Sequence, residues 1–287
     1  MFVEAIKECA KFTKQFRTIT RNFGSDKVNK GAASLIVINN DGWILTCKHV
    51  ANNIYFADQF GKSYRNYKAE LSQGLMNEAT LRQKYNYQLD KICQLKNQFF
   101  DVFSGNFVGV KVIPHKKMDI ALIKIEGDIK MACDHFPVFS QKMAESGMSL
   151  CKLGFPFAEY TCVEYNVEND DIFFTNTGKI MTPFFPLDGM VTRTMINADN
   201  QIFGFEMSTP GIKGQSGGPV FDKEGLVYGM QYQTHHLDLD FKLVKQINKP
   251  TGIEEEVNYA FMNVGNAISS TILIEFMKEN HVVFQSR

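Results

Sequence analysis

The 287-residue chain has no excess of charge of either sign, since 31 Lys and Arg balance 31 Asp and Glu. Such a chain sets up no net field that would attract nucleic acid or an anionic membrane. No apolar run is long enough to cross a bilayer. Charges interrupt Met1–Lys11, so no secretory apolar segment stands there. The six cysteines, Cys9, Cys47, Cys93, Cys133, Cys151 and Cys162, form no C-x-x-C pair, which argues against a zinc ribbon or a thioredoxin-like centre. Reduced thiols and a cytoplasmic location are therefore expected. Trp occurs once but Phe 25 times, so Phe is expected to supply much of the core. The proportions of 44% hydrophobic and 22% charged residues are those of an ordinary soluble protein. The length allows one sizeable domain or two small ones.

Along the chain the periodicity changes several times. Apolar residues Phe2, Val3, Ile6, Ala10 and Phe16 among Lys and Glu predict a short amphipathic helix or arm over residues 1–23. Ala32–Ile38, the turn Asn40-Asp41-Gly42 and Trp43–Cys47 predict a hairpin. Ile54–Phe60 has strand composition. From Tyr67 to Phe100, with no Pro, apolar residues recur at three- and four-residue steps and predict one long helix or a helix pair. Strand signals return at Phe107–Ile113 and Ile120–Ile125. They continue at Ser149–Leu153, Ile172–Ile180, Met190–Ile196, Gln201–Met207, Val220–Phe221, Gly225–Gln233 and Val257–Asn263. Residues 235–256 are polar and predict a loop. Ser269-Ser270 predicts the cap of a last helix through Glu279.

Three features carry chemistry. Gly214-Gln215-Ser216-Gly217-Gly218-Pro219 places a hydroxyl between glycines, where the backbone turns sharply and N–H groups can approach a reacting carbonyl oxygen. A serine hydroxyl needs a neighbouring base to attack at neutral pH. His49 follows the buried strand Trp43–Cys47, and Asp119 heads the apolar strand Ile120–Ile125. A carboxylate there must be hydrogen-bonded or paired. The order His49, Asp119, Ser216 is one of the known orders of a nucleophile, base and orienting acid. In that scheme Ser216 attacks, His49 moves the proton, and Asp119 fixes the imidazole tautomer. The N–H groups of Gly214 and Ser216 form the oxyanion hole, and neither a metal nor a cofactor is required. The pairs His235-His236 and Asp238, Asp240 are read as a solvated segment rather than a metal site.

With these residues in place, Gly214–Pro219, Thr46-Cys47-Lys48-His49-Val50 and Asp119-Ile120-Ala121-Leu122 resemble the three motifs of the chymotrypsin-fold serine peptidases. The likeness is to the HtrA-like, bacterial trypsin-like branch. Leu153-Gly154-Phe155-Pro156-Phe157 resembles its Gly-x-Pro segment, and Gly178 fits its glycine between early strands of the second barrel. The resemblance covers about residues 30–275. It implies a mainly β fold of two six-stranded antiparallel barrels with the site between them, and cleavage of peptide bonds. It also implies that Tyr232, Gln233 and Thr234 pair with substrate backbone as an edge strand. Four departures stand out. Val50 replaces the cysteine that follows the histidine in secreted trypsins, and no Ile-Val-Gly-Gly terminus is present. His49 and Asp119 lie 70 residues apart, farther than is usual. Pro210 stands where trypsins carry the acid that selects Lys and Arg. About 24 residues follow Asn263, so a stand-alone form without a PDZ domain is expected.

The expected organisation is a helical arm at residues 1–29, and a first barrel at 30–145 with a helical insertion at 67–100. A second barrel at 146–265 and a helix at 266–287 follow. The expected function is that of a serine endopeptidase of restrained or narrow specificity acting on protein or peptide substrates. The insertion at 67–100 is the expected dock for a regulatory partner. A peptide-binding scaffold on the same fold and an esterase using the same three residues are the alternatives.

Overall fold

The computed structural model describes residues 1–249 and 252–287. Helix α1 (Val3–Phe12) leads into β1 (Thr13–Asn22), β2 (Val28–Val37) and β3 (Trp43–Thr46). Two helices, α2 (Lys48–Gln73) and α3 (Glu78–Lys84), precede β4 (Ile92–Phe100), β5 (Phe103–Pro114) and β6 (Ala121–Met131). The second half holds β7 (Val138–Phe139), β8 (Ser149–Lys152), β9 (Val163–Asn166), β10 (Asp171–Phe174), β11 (Leu187–Ile196) and β12 (Ile202–Met207). It ends with β13 (Pro219–Phe221), β14 (Val227–Lys249), β15 (Gly252–Ser269), α4 (Ser270–Glu279) and β16 (Gln285–Ser286).

The first sheet has the order β4-β1-β2-β3-β6-β5. The second contains β13-β8-β11-β12-β15-β14, and a further β13–β14 pairing closes it into a six-stranded ring. Counting separately the six strands of the first sheet and the six of the ring, both follow the cyclic order 1-2-3-6-5-4, so one antiparallel topology occurs twice. The β13–β14 pairing closes the second sheet, and the first has the same order without a β4–β5 ladder among the described residues. The chain is thus mainly β, with a chymotrypsin-like fold. The main core runs from Phe16, Leu35, Ile44 and Leu122 of the first half to Phe221, Met230, Leu273 and Met277 of the second. Helix α4 begins at the expected cap, where the Ser269 hydroxyl accepts from Thr271 N–H at 3.3 Å.

Several sequence expectations are corrected. Residues 13–22 belong to no helical arm; they are a central strand between β2 and β4. Their polar side chains hid it. Arg17, 1% exposed, stacks 3.3 Å from the Phe100 ring centroid and donates to Gln15 Oε1 at 2.7 Å. Buried Arg21 pairs with Asp170 at 2.6 Å. The helical segment expected at 67–100 begins instead at Lys48 and ends at Lys84. Ile54–Phe60 lies inside α2, with Tyr55 and Phe56 exposed. Tyr64 and Tyr67 anchor α2 by packing on Phe23, Leu81 and Tyr87. Residues 92–100, expected as helix, are β4, and its Leu95 lies opposite Thr20 of β1. The expected loop at 235–256 is formed by β14 and β15, and the side chains of residues 238–246 are exposed on both faces of the ribbon. Positions 250 and 251 of that stretch lie outside the described residues. The strand expected over Ile172–Ile180 is only β10.

Candidate active site

The pairing of β3 with β6 sets the first half of the site. Thr46 lies opposite Ala121, so the residues just after β3 meet those just before β6. His49 stands in the first turn of α2, and its backbone N–H donates to Asp119 Oδ1 at 2.9 Å. Its Nδ1 lies 2.6 Å from Asp119 Oδ2. Burial pushes the Asp119 pKa up, but the bonds from the His49 ring and backbone and from Lys48 N–H outweigh this and hold it below its ordinary value. The carboxylate is therefore ionised and can only accept. That fixes the proton on Nδ1 and leaves Nε2 with a free lone pair directed away from Asp119.

The second half is the loop before β13. Ser34 N–H of β2 donates to Ser216 O at 3.0 Å, and Gly217 N–H donates to Gln231 O at 2.9 Å. Gly217 has φ +87°, and a Cβ there would collide with Ser34 O and Thr46 Oγ1. Only glycine lets the loop lie this close to the first sheet. Gly214 has φ +105° and packs on Phe155 O in the same way. The N–H groups of Gly214 and Ser216 have no acceptor among the described residues.

His49, Gly214 and Ser216 line one cleft of about 390 Å³, together with Lys213 and Asn53. Within it the Ser216 hydroxyl donates to Tyr232 O at 3.4 Å and not to His49. Of the other expected residues, Gln233 O accepts from Gln231 Nε2 at 2.7 Å, the Thr234 hydroxyl donates to Gly211 O, and Pro210 O accepts from Lys152 Nζ at 2.7 Å. Among the described residues, β14 beyond Met230 has only β15 as a ladder partner, so the other edge of Tyr232–Thr234 has no strand beside it there.

Among the described residues, Cys47, His49 and Asp119 form the one group whose donor atoms could meet at a metal, within 4.8 Å of one another. Burial pushes the Cys47 thiol pKa well up, and the thiol donates to Gln231 O at 3.4 Å. A protonated thiol does not suit a metal ion. All six cysteines are unpaired. No described helix is long and apolar enough to cross a membrane. Two residues near the site went unnoticed in the sequence. Ser34 sits in a run of small residues that gives no signal. Lys152 closes the apolar strand Ser149–Leu153, where a lysine was itself a signal.

A family model for the trypsin-like peptidase domain matches residues 33–230. The chain belongs to that family. No curated protein matches the chain. Among solved structures, the HtrA-type protease AlgW with a tripeptide is similar at TM-score 0.50 and 13% identity, covering 97% of this chain and 63% of that one. The same protease with a decapeptide is similar at TM-score 0.51 and 12% identity, covering 97% of this chain and 66% of that one. This chain thus spans slightly less than two thirds of those proteins, and at such identity the likeness concerns the fold.

Proposed function

We propose that the chain is a serine endopeptidase with His49, Asp119 and Ser216 as its catalytic residues. The observation that carries this is the ionised Asp119 fixing the His49 tautomer at 2.6 Å, in a cleft that also holds Ser216 and two unoccupied N–H groups. Ser216 Oγ attacks the peptide carbonyl carbon while its proton passes to His49 Nε2. The oxyanion takes the N–H groups of Gly214 and Ser216, and one such donor is worth about 2.7–4 kcal/mol. His49 then protonates the leaving amine as the C–N bond breaks. Water, deprotonated by His49, hydrolyses the acyl-enzyme.

Tyr232 O, which holds the hydroxyl here, is the natural acceptor for the backbone N–H of a bound peptide. Binding then releases the hydroxyl toward His49, which accounts for the absent Ser–His bond in the free protein. The unpaired edge of Tyr232–Thr234 supports extended peptides as substrates. The free cysteines support a cytoplasmic protein, and the exposed apolar residues of α2 support a regulatory contact there. A fluorophosphonate probe is expected to label Ser216 in the wild type, not in Ser216→Ala, and weakly in His49→Ala. Peptide binding without labelling under any condition would favour the scaffold reading.

A further inference from the structure

Lys152, the last residue of β8, is fully buried. Its ammonium donates to Thr209 O and Pro210 O, each at 2.7 Å, on the segment that leads to Ser216. A Cβ on Gly265 would stand 2.6 Å from Nζ. Gly265 pairs with Thr234 on one side and Met207 on the other. The ammonium therefore lies between the 209–211 segment and the strand that faces Tyr232–Thr234. Its acceptors are neutral carbonyls, and no carboxylate pairs with it among the described residues. Burial pulls its pKa down to about 7.

Three further buried oxygens in this region have no hydrogen-bond partner among the described residues: Thr209 Oγ1, Gln231 Oε1 and Asn266 Oδ1. Gln231 is 2% exposed and packs against Gly211; Asn266 is 6% exposed and lies opposite Gln233. Buried cations are normally paired and buried acceptors normally satisfied. A buried cation with no carboxylate, and a buried hydroxyl free to donate, stand beside a candidate nucleophile and are placed to meet an anion that arrives from outside.

We propose that this is the pocket for the P1 side chain, the residue whose carbonyl Ser216 attacks, and that it selects Glu or Asp with Lys152 as counter-ion. This rests on the serine-peptidase reading. A basic side chain would bring a second cation to Lys152. An apolar one would leave the charge and the Thr209 hydroxyl unpaired, whereas a carboxylate meets both. A P1 amide would donate to the Gln231 and Asn266 oxygens, which a carboxylate cannot do, but would not neutralise the charge, so Gln ranks second.

The test uses peptidyl diphenyl phosphonates that differ only at P1 (Glu, Asp, Gln, Ala, Lys), with the Ser216 adduct followed by mass spectrometry. Sites built around polar partners discriminate strongly, so the acidic probes are expected to react on the order of 10²-fold faster than the Lys probe. In Lys152→Met the ratio of Glu to Gln rates is expected to collapse to about one or below. Fastest reaction with Lys or an apolar P1, or an unaltered ratio in Lys152→Met, overturns the proposal. If that variant does not fold, the wild-type ranking decides alone. No adduct from any phosphonate, nor from the small fluorophosphonate, overturns the peptidase reading and this one with it. Adducts with a non-acidic ranking overturn only this one.

Discussion

Ser34→Ala isolates one hydroxyl that joins the two halves of the site. That hydroxyl donates to Gly214 O at 2.8 Å and accepts from Phe155 N–H at 3.1 Å. Ser34 is fully buried. Its main chain stays anchored in the variant, because Ser34 N–H still reaches Ser216 O and the Thr46 hydroxyl still reaches Ser34 O. Two backbone groups lose their partner, each at a cost of about 1–3 kcal/mol when buried. Gly214 is buried and Phe155 only half-buried, so a loss of about 2–4 kcal/mol in stability is expected. The second effect is on rate. Gly214 O is half of the contact that fixes how the 214–215 peptide, and with it the 214–216 loop, is oriented. If one oxyanion donor drifts out of line, kcat falls by up to about 10²–10³-fold. Partial misalignment predicts a fall of about 10–100-fold with KM little changed. Urea unfolding and steady-state peptide hydrolysis, run on the same preparation, separate the two effects. A stability loss with kcat intact would refute the coupling of Ser34 to the oxyanion hole.

Three other outcomes are expected. Asp119→Asn keeps the site's shape but lets His49 take the wrong tautomer, so kcat should drop by about 10⁴; a loss below tenfold in steady-state assays would argue against Asp119 as the orienting acid. The Asp119 pKa is depressed in the folded state, mainly because bonds from His49 outweigh burial. Its contribution to stability is therefore complete above the unfolded value of about 4 and disappears as pH falls through the folded value. Denaturant titrations of wild type and Asp119→Asn should differ near pH 6 and converge near the folded pKa; a gap independent of pH contradicts the assignment. Gly217→Ala puts a Cβ at φ +87° against Ser34 O and Thr46 Oγ1. The left-handed backbone alone costs about 1–2 kcal/mol, and relieving the collision lifts the loop from β2, so both the melting temperature and Ser216 labelling should fall.

The parts of the chain that are legible in the sequence are continuous apolar runs bounded by turn or polar residues. β3 and the start of β6 are of this kind, buried at Ile44–Thr46 and Ala121–Ile123, and their ends announce the positions of His49 and Asp119. The glycines around Ser216 were legible for a different reason: a backbone this close to Ser34 O and Phe155 O admits no Cβ. β1 was not legible, because Lys14, Gln15, Arg17 and Arg21 are buried in it. Their partners come from distant parts of the chain, such as Asp101 for Lys14 and Asp170 for Arg21. A local pattern carries no trace of such partners, so a strand full of charge looks like a solvated helix. α2 was misplaced because Tyr55 and Phe56 favour strands by composition, while the residues that hold the helix down are Tyr64 and Tyr67, a turn or more later.

The same physics explains why the sequence assigns Lys152 no role. The His49, Asp119 and Ser216 positions stand at strand ends and in a glycine turn, where position is fixed by backbone geometry. Lys152 also ends a strand, but its ammonium acts a full side chain away, beneath Thr209 and Pro210. Pro210 excluded the trypsin type of pocket by removing an acid; it did not say what replaced the acid. The replacement we propose comes from a strand that pairs with β13 and β11 and reaches the loop from below. Closure of the second barrel brings that strand beneath the loop, and closure is a property of strand order. The proposed specificity thus rests on a residue whose spacing from Ser216 carries no signal, whereas the candidate nucleophile stands out within six residues, Gly214–Pro219.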